Sequence, residues 1–494
     1  MNPSSQQVDE DTTTIPENLG PKTWKVGTLT YTAGGLMALF FWLLFGDFAW
    51  AMRDRSVGPF CQWYLDSLGI SALLFGLIFS SFPALIGLVL VPIISVKSDH
   101  HRGRWGRRIP FLLVTTPLTA LGVVGLGLTP LVIEWASHIV SSDHATGRWL
   151  MEAWGNNATG AWILSVLRNE KTLAVIVFSV FWTIFEFASI ASGAVFRGLI
   201  NDVVPACMQG RFYGLFRAVS LIDAMIFNYW ILGGVSSYFT LILVIVGIFY
   251  GLAFTLVCLK VKEGSYPKPI IPAQNLASPK LLPRYAKAFK TYFKECFSNP
   301  YYVMIFIMIT AVSSSFLAVN VFFLPYAKNL GVSMDIYGKC LALTYVASLL
   351  LSYGLGWLSD RFHPMRTSIA TLLGCTLVTA AGGLFATSVT SFLVILVLHG
   401  ILCGSYLTTS ASLMQRLFPR SNFAQFASAA HLMGAAAQMA LAPAVGFLIT
   451  MTGGTYRCTF VVAFALSLLA LYLSFAVHQK FMALGGPTSY VAPE

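Results

Sequence analysis

Ionisable side chains lie inside several long apolar runs of this sequence, where each is costly to bury. A carboxyl group in a dry environment can carry a proton, and carboxylates accept hydrogen bonds from hydroxyl groups. These residue types therefore indicate proton transfer and the binding of a polar solute. The positions are Asp47, Arg53, Asp54, Arg55, Glu186, Asp223, His399 and His431, of which the two histidines are more simply explained as core residues.

The densest group of these residues is in the segment GDFAWAMRDRS. Asp47 and Asp54 are seven residues apart, with Trp50 between them on the same helical face. Because an indole face stacks on the C–H surface of a sugar, this face predicts a polyol-binding site that includes Arg53. Arg53 and Arg55 would suit an anionic ligand instead. The simpler alternative is that Asp54 only neutralises Arg53 or Arg55.

Two further carboxyl groups are candidates for proton coupling. Glu186 precedes Arg197 by eleven residues, which is about three helical turns, so both are on the same side of their helix. We expect Glu186 to carry a proton or contact substrate; a structural ion pair is the alternative. Asp223 could likewise take part in coupling, or it could support packing by pairing with Arg53 or Arg217.

The elements that position these residues are long helices. The chain has 494 residues, of which 56% are hydrophobic and only 10% charged, and its mean hydropathy is +0.72. Crossing a hydrocarbon core takes about 20 helical residues, and apolar runs of that length recur along the chain. We predict an all-α polytopic membrane protein with twelve transmembrane helices near 29–66, 70–96, 109–135, 173–200, 212–235, 238–261, 299–326, 337–358, 367–386, 389–412, 423–450 and 457–479.

Lysine and arginine fall mostly in one of the two sets of connecting loops, which predicts that this set is cytoplasmic. Both termini then lie in the cytoplasm, in an inner or plasma membrane. The predicted domains are a tail (1–28), a six-helix bundle (29–261), a central loop (262–298), a second bundle (299–479) and a tail (480–494). The central loop contains an amphipathic helix with Lys287, Lys290 and Lys294 on one stripe, suited to anionic lipid.

Several function classes are disfavoured. The net charge of +11 is explained by membrane topology, so nucleic-acid binding is a poor interpretation. The eight cysteines are scattered without a Cys-x-x-Cys pair, and we expect no metal site or cofactor. Neither a His-Glu-x-x-His motif, nor Gly-x-Ser-x-Gly, nor a glycine-rich phosphate loop occurs, so an enzyme is not expected.

An internal repeat divides the chain into halves. The stretches SDHHRGRWGRRIP and LSDRFHPMR each follow a predicted helix, contain Ser-Asp and continue with basic residues. They begin after the second and eighth helices, which predicts two pseudo-symmetric six-helix halves with a substrate site between them. Asn320 and Gln438 are the polar groups that the second half is expected to contribute. The simplest role of the arginines is to hold the first loop in the cytoplasm.

These loops resemble the Gly-x-x-x-Asp-Arg-x-Gly-Arg-Arg motif of the major facilitator superfamily. The matching residues are Asp99, Arg102, Gly106, Arg107 and Arg108 in the first half and Gly356, Asp360 and Arg361 in the second. The resemblance implies that the loop arginines pair with acids at the cytoplasmic ends of neighbouring helices and hold the outward-open state. We therefore expect these loop residues to gate the inner side.

Within that superfamily, SDHHRGRWGRRIPF resembles the glycoside-pentoside-hexuronide:cation symporters and the related sucrose transporters. The first helix is similar to theirs through Gly46, Phe48, Trp50, Ala51, Ser56 and Pro59, and the fourth through Phe181, Trp182, Arg197 and Asp202. This register places Arg53, Asp54 and Arg55 deep in a cavity, whereas hydropathy alone would end the span near Met52. Arg197 and Asp202 join the predicted gating residues.

The resemblance implies a monomeric secondary transporter of a sugar or glycoside, such as sucrose or maltose. The bacterial melibiose-type members place two aspartates for sodium in the second helix, where this chain has Gly87 and Val91. Proton-coupled symport or facilitated diffusion is therefore expected. Transport of an anionic sugar, a membrane enzyme and a transporter-like sensor remain alternatives. The long insert between the third and fourth helices is expected to form a helical lid.

Overall fold

The computed structural model describes residues 23–140, 144–154, 157–205, 208–265, 296–419 and 423–493. The predicted amphipathic helix of the central loop and residues 1–22 lie outside the described residues. Twelve long helices form in the described chain. They are α1 Ala33–Ser67, α2 Ala72–His100, α3 Ile109–Val140, α4 Glu170–Val203, α5 Gln209–Ile226, α6 Val235–Lys260, α7 Pro300–Asn320, α8 Met334–Phe362, α9 Pro364–Phe385, α10 Val389–Thr409, α11 Phe423–Met451 and α12 Cys458–Ala483.

Side-chain caps set where many of these helices begin. Thr32 accepts a hydrogen bond from the Gly35 amide (3.2 Å), and Ser71, Asn169 and Ser333 cap α2, α4 and α8 in the same way. The first helix begins later than the apolar run suggested. Its expected first residues, Leu29–Tyr31, instead form strand β2, which pairs antiparallel with strand β1 (Trp24–Val26) from the predicted tail.

Apolarity and length alone indicate eleven spans in the described residues, because Leu215–Lys260 forms one continuous 46-residue segment. Ring contacts show that the chain reverses within it. Phe212 of α5 lies 5.1 Å from Phe40 of α1, and Phe227, directly after α5, lies 5.9 Å from Phe60 (ring centroids), so α5 runs parallel to α1. Along α6 the order is inverted: Phe239 lies 6.2 Å from Phe60, whereas Val257 contacts Gly46. The predicted twelve-helix architecture is confirmed.

The helices form two groups of six. In the first half α3 packs on α4 and α6, and α1 packs on α5 and α6; in the second half α12 packs on α7 and α9, and α10 on α8 and α9. The halves meet where α2 crosses α11 and where α5 crosses α8. We call the end of the bundle that carries residues 101–108 the arginine-loop end.

At the opposite end the two halves touch through glycines. A Cβ atom on Gly446 of α11 would lie 2.2 Å from the Ala72 carbonyl oxygen, and one on Gly76 would lie 2.6 Å from that of Ala442. A Cβ atom on Gly338 of α8 would likewise lie 2.2 Å from the Asn228 carbonyl oxygen. The missing side chains let the helix backbones approach, and this end of the bundle is closed.

An ion pair adds to this closure. The Lys328 ammonium group, on the short helix Phe323–Asn329, lies 2.6 Å from the Asp66 carboxylate at the end of α1. Its nitrogen is also 5.3 Å from the centroid of the Trp63 ring. The pair joins the first half to the second.

Both crossings contain a π turn, Leu77–Ser81 in α2 and Phe227–Ile231 at the end of α5. In α2 the Ser80 and Ser81 hydroxyls donate to the main-chain oxygens of Gln438 and Met439 at 3.1 and 2.5 Å. These hydrogen bonds connect the halves at mid-helix depth.

The insert between α3 and α4 is helical, as expected. Its helices Ala145–Trp154 and Ala158–Arg168 pack against α3 and α4. They therefore lie beside the first half, and neither lines the two cavities described below.

We expect Gly446→Ala to open the closed end, because its methyl group cannot fit against the Ala72 carbonyl oxygen. Hydrogen–deuterium exchange should become faster in residues 72–81. Gly434→Ala on the same helix is the matched control, since nothing lies within 4 Å of that position. Equal exchange in both variants would contradict this account of the closure.

Candidate functional site

A cavity of about 1010 Å³ lies between the two halves. Its wall comes from α2, α7, α10 and α11, with Arg197 of α4, and it lies on the arginine-loop side of the glycine contacts. Gln438, predicted as a cavity group, lines it. Asn320, predicted with it, is exposed at the end of α7 and lines neither this cavity nor the next.

A second cavity, of about 430 Å³, lies within the first half between α1, α4 and α5. It brings together Asp47, Trp50, Asp54 and Arg55 of α1, three of which were predicted to bind substrate. Arg197 lines both cavities, so they adjoin at its side chain. We call this second cavity the acidic pocket.

Arg53 lies behind the acidic pocket and is fully buried. Its guanidinium carbon is 4.0 Å from the centroid of the Trp50 ring and 4.9 Å from that of Tyr250. Its Nη2 pairs with Asp54 Oδ1 at 2.7 Å, whereas Nε and Nη1 have no hydrogen-bond partner in the described structure. Arg53 therefore covers one face of the indole that was expected to stack on a sugar.

Asp54 combines the two roles that the sequence left open. It neutralises Arg53, yet 58% of its side chain stays exposed and it lines the acidic pocket. Its neighbour Arg55 reaches the other half, where its Nη1 donates to the Tyr345 hydroxyl of α8 at 2.9 Å. The charged triplet of α1 thus contacts both the pocket and the second half.

Three more carboxyl groups surround this triplet. Asp47 is 3% exposed and Asp223 is fully buried. One oxygen of Asp47 and both oxygens of Asp223 lack a hydrogen-bond partner within the described residues. The two aspartates are close enough to interact electrostatically, as are Glu186 and Arg53. Asp223 bonds neither of its suggested partners and instead interacts electrostatically with Arg55.

The arginine loop forms an ion-pair network at one end of the first half. Arg107 Nε donates to Asp202 Oδ2 at 2.8 Å, and Arg108 Nε donates to the same oxygen at 3.1 Å. Arg108 also pairs with Asp99. Acids at helix ends thus pair with these arginines. That the pairs hold the outward-open state and gate the inner side stays a prediction. Among the described residues, the bonds of this network join α2, the loop, α4 and the segment just beyond α6.

Glu263, just beyond α6, is a member of this network that the sequence did not reveal. Its two carboxylate oxygens accept the main-chain amides of Arg107, Arg108 and Ile109 at 2.7 to 2.8 Å. A carboxylate at a helix N-terminus satisfies free amides and complements the helix dipole. The only sequence signal was an isolated acid in the basic stretch LKVKEGS.

Gly106 is required at this point for two reasons. Its φ of 101° is unfavourable for other residues, and a Cβ atom would lie 2.6 Å from the Glu263 carboxyl carbon. In the second half, His363, directly before α9, has a φ of 77°. It stabilises that turn by accepting the Met365 amide through Nδ1 at 3.3 Å.

The remaining predicted gating residues make other contacts. Arg102 donates to the main-chain oxygens of Asp99 and His101 at 2.6 and 2.7 Å. Arg197 lines the cavities, and Arg361 lies over the rings of Trp357 and Phe362. The side chain of Asp360 is outside the described structure.

We expect Asp202→Asn to destabilise the protein, because it leaves two partly buried arginines without their shared carboxylate. Losing charge-assisted hydrogen bonds of this kind costs about 2 kcal/mol. The apparent unfolding temperature in detergent should fall by several degrees. Asp335→Asn is the matched control, since its pair with Lys339 (2.7 Å) is exposed to solvent and such pairs contribute little to stability. Equal unfolding temperatures for the two variants would refute the assigned role.

Comparison with known proteins agrees with this geometry. Residues 309–481 match the sequence model of the Major Facilitator Superfamily. A stretch of 81 residues is 33% identical to the Membrane-associated transporter protein of Mus musculus, covering 16% of this chain and 14% of that protein. The corresponding protein of Homo sapiens is 34% identical over 86 residues, 17% of this chain and 15% of its own length. The matched stretches thus span a small part of these relatives.

Solved structures resemble the chain over most of its length. A bacterial homologue of the human lysosomal transporter Spinster, inward-facing, has a TM-score of 0.60 at 15% identity, covering 93% of this chain and 98% of its own. A D-xylose-proton symporter has a TM-score of 0.60 at 14% identity, covering 89% and 97%. The chain therefore has the major facilitator fold, and residues 309–481 are similar in sequence to the Major Facilitator Superfamily.

Proposed function

We propose that the chain is a secondary transporter that carries a sugar or glycoside together with a proton, as a monomer, by alternating access. The observation that carries this proposal is the acidic pocket, which adjoins a cavity between two halves that are closed at the other end. A solute-binding site accessible from one side is what alternating access requires.

The positive charge of the loops indicates the side of the membrane to which the cavity opens. The arginine loop lies at the same end as the cavity, and loops rich in arginine and lysine stay in the cytoplasm. We therefore assign this end to the cytoplasm of an inner or plasma membrane, so the arrangement is inward-facing. The arginine network then holds the helix ends of the first half together while the inner side is open.

The pocket suits hydroxyl groups. Asp54 and Asp47 supply carboxylate oxygens, and Arg55 and Arg197 supply guanidinium donors, all of which line the pocket. Trp50 also lines the pocket, with the Arg53 guanidinium group over its ring and the Phe196 ring stacked on it, and its exposed part adds apolar surface beside a sugar ring. One of the proteins of similar fold is a D-xylose-proton symporter. Others carry different solutes, so the pocket chemistry is the main support for a sugar.

Proton coupling is assigned to Asp223 and Glu186, with Asp47 beside them. A carboxyl group without a hydrogen-bond partner is costly to bury when ionised and far less costly when neutral. Asp223 is in that position, and it interacts electrostatically with Asp47 and Arg55. A sugar bound at Asp54 would displace water from the pocket, and the loss of hydration favours the neutral form of nearby carboxyl groups, which couples binding to protonation.

The deciding measurement is uptake of labelled sugars into proteoliposomes with and without an inward proton gradient. We expect concentrative uptake in the wild type. Asp223→Asn and Glu186→Gln should lower it by at least about tenfold, the effect of one lost interaction of about 1.4 kcal/mol. Asp335→Asn, an exposed carboxylate outside the pocket, should transport normally.

Two results would change the proposal. Uptake that only equilibrates and ignores the gradient in all variants would make the protein a facilitator. Inhibition by uronic acids but not by neutral sugars would indicate an anionic substrate, bound by Arg55 and Arg197.

A further inference from the structure

The segment that follows α12 folds back against the helices of the second half. Because α11 ends near the closed end, α12 runs back to the arginine-loop end. There Gly485 and Gly486 have φ values of 109° and 60°, which are unfavourable for residues with a side chain. A Cβ atom on Gly485 would also lie 2.3 Å from the Ser489 carbonyl oxygen. The two glycines permit a tight reversal of the chain, and we call residues 484–493 the strap.

Tyr490 makes the central contacts of the strap. Its ring lies 4.8 Å from the Phe481 ring of α12 (centroids). Its hydroxyl group donates to the Leu417 carbonyl oxygen at 2.7 Å and lies 3.3 Å from the Tyr301 hydroxyl group of α7. One side chain of the strap thus touches three elements of the second half.

Two further contacts extend this connection. The buried Tyr302 of α7 donates its hydroxyl hydrogen bond to the Pro493 carbonyl oxygen at 2.6 Å. The Phe481 ring in turn stacks on His363, 4.9 Å away in the turn before α9. The strap therefore connects the arginine-loop ends of α7, α9 and α12 with the chain that follows α10.

These contacts lie next to the wall of the larger cavity. Leu417 is the last residue of a short helix after α10, and Met414 of that helix lines the cavity. Tyr301 is in the first turn of α7, and Thr310 of α7 lines the cavity too. The Thr310 hydroxyl group has no hydrogen-bond partner within the described residues and is available to a solute. The Tyr490 hydroxyl group thus ties together two elements of the wall.

The repeated loop of the second half does not supply an equivalent connection. In the first half, Asp202 binds the consecutive arginines Arg107 and Arg108. The matching stretch LSDRFHPMR contains no consecutive arginines, and Arg361 lies over the rings of Trp357 and Phe362. The helix ends of the second half are held by the strap instead.

We propose that Tyr490 is a positioning residue for transport. Through Leu417 and Tyr301 it fixes the spacing of two wall elements at the inner mouth of the larger cavity, and so the place of Thr310 and Met414 relative to a bound solute. The inference rests on the proposed function and concerns how the second half holds the solute.

Tyr490→Phe tests this role, because it removes the hydroxyl group and keeps the ring that packs on Phe481. Hydrogen–deuterium exchange should become faster in residues 301–306 and 413–418, since both segments lose a contact. In proteoliposomes we measure the KM for labelled sucrose or maltose, whichever the wild type takes up. It should rise about fivefold, the effect of one lost neutral hydrogen bond, while the maximal rate stays within about twofold.

Two more variants separate the strap from its surroundings. Tyr472→Phe removes a hydroxyl group from a tyrosine of α12 that is 70% exposed, and it should behave like the wild type. Gly485→Ala changes no residue that contacts α7 or lines the cavity, but its methyl group cannot fit against the Ser489 carbonyl oxygen. It should speed exchange in the same two segments and raise the KM as Tyr490→Phe does.

The outcomes separate this inference from the proposed function. Unchanged exchange in Tyr490→Phe and Gly485→Ala would show that the strap does not hold these helices. Faster exchange with an unchanged KM, or with a change in maximal rate alone, would overturn the positioning role and leave sugar transport standing. If the wild type takes up neither sugar above the leak into protein-free liposomes, the proposed function fails and the positioning role fails with it. The exchange data still decide whether the strap holds the helix ends.

Discussion

The close approach of helix backbones at one end of the bundle is the constraint on which the rest of the architecture depends. Gly446 and Gly76 let α2 and α11 touch, and Gly338 does the same for α5 and α8. Two rigid halves joined at one end must diverge at the other, and the divergence creates the cavity of about 1010 Å³. The position of the cavity follows from where small residues allow contact.

The charged groups inside the first half obey a second constraint. A guanidinium group buried as deeply as Arg53 needs compensation, and it obtains this from Asp54 and from the rings of Trp50 and Tyr250. This arrangement uses one indole face that would otherwise be available to a ligand. Asp223 and one oxygen of Asp47 have no hydrogen-bond partner within the described residues. A change of protonation at these two groups therefore changes the charge beside the triplet.

Much of the fold was predictable from the sequence, because twelve helices and two halves follow from apolar runs and a repeated loop. Asp99, Arg107, Arg108 and Asp202 were predicted as a group because the loop and the fourth helix resemble known family motifs. Glu263 was not, because its partners are main-chain amides that carry no sequence signal. The partner of Asp223 was also missed, since helix–helix rotation decides whether Arg55 or Arg217 is nearer.

The hydrogen bonds made by the π turn of α2 have a consequence for specificity. Ser80 and Ser81 donate to the main-chain oxygens of residues 438 and 439, so these bonds do not depend on the side chains at those two positions. Position 438 faces the cavity with its side chain while its backbone helps to connect the halves. Solute selectivity and mechanical connection are therefore separated within one residue, and the first can be altered by substitution without weakening the second.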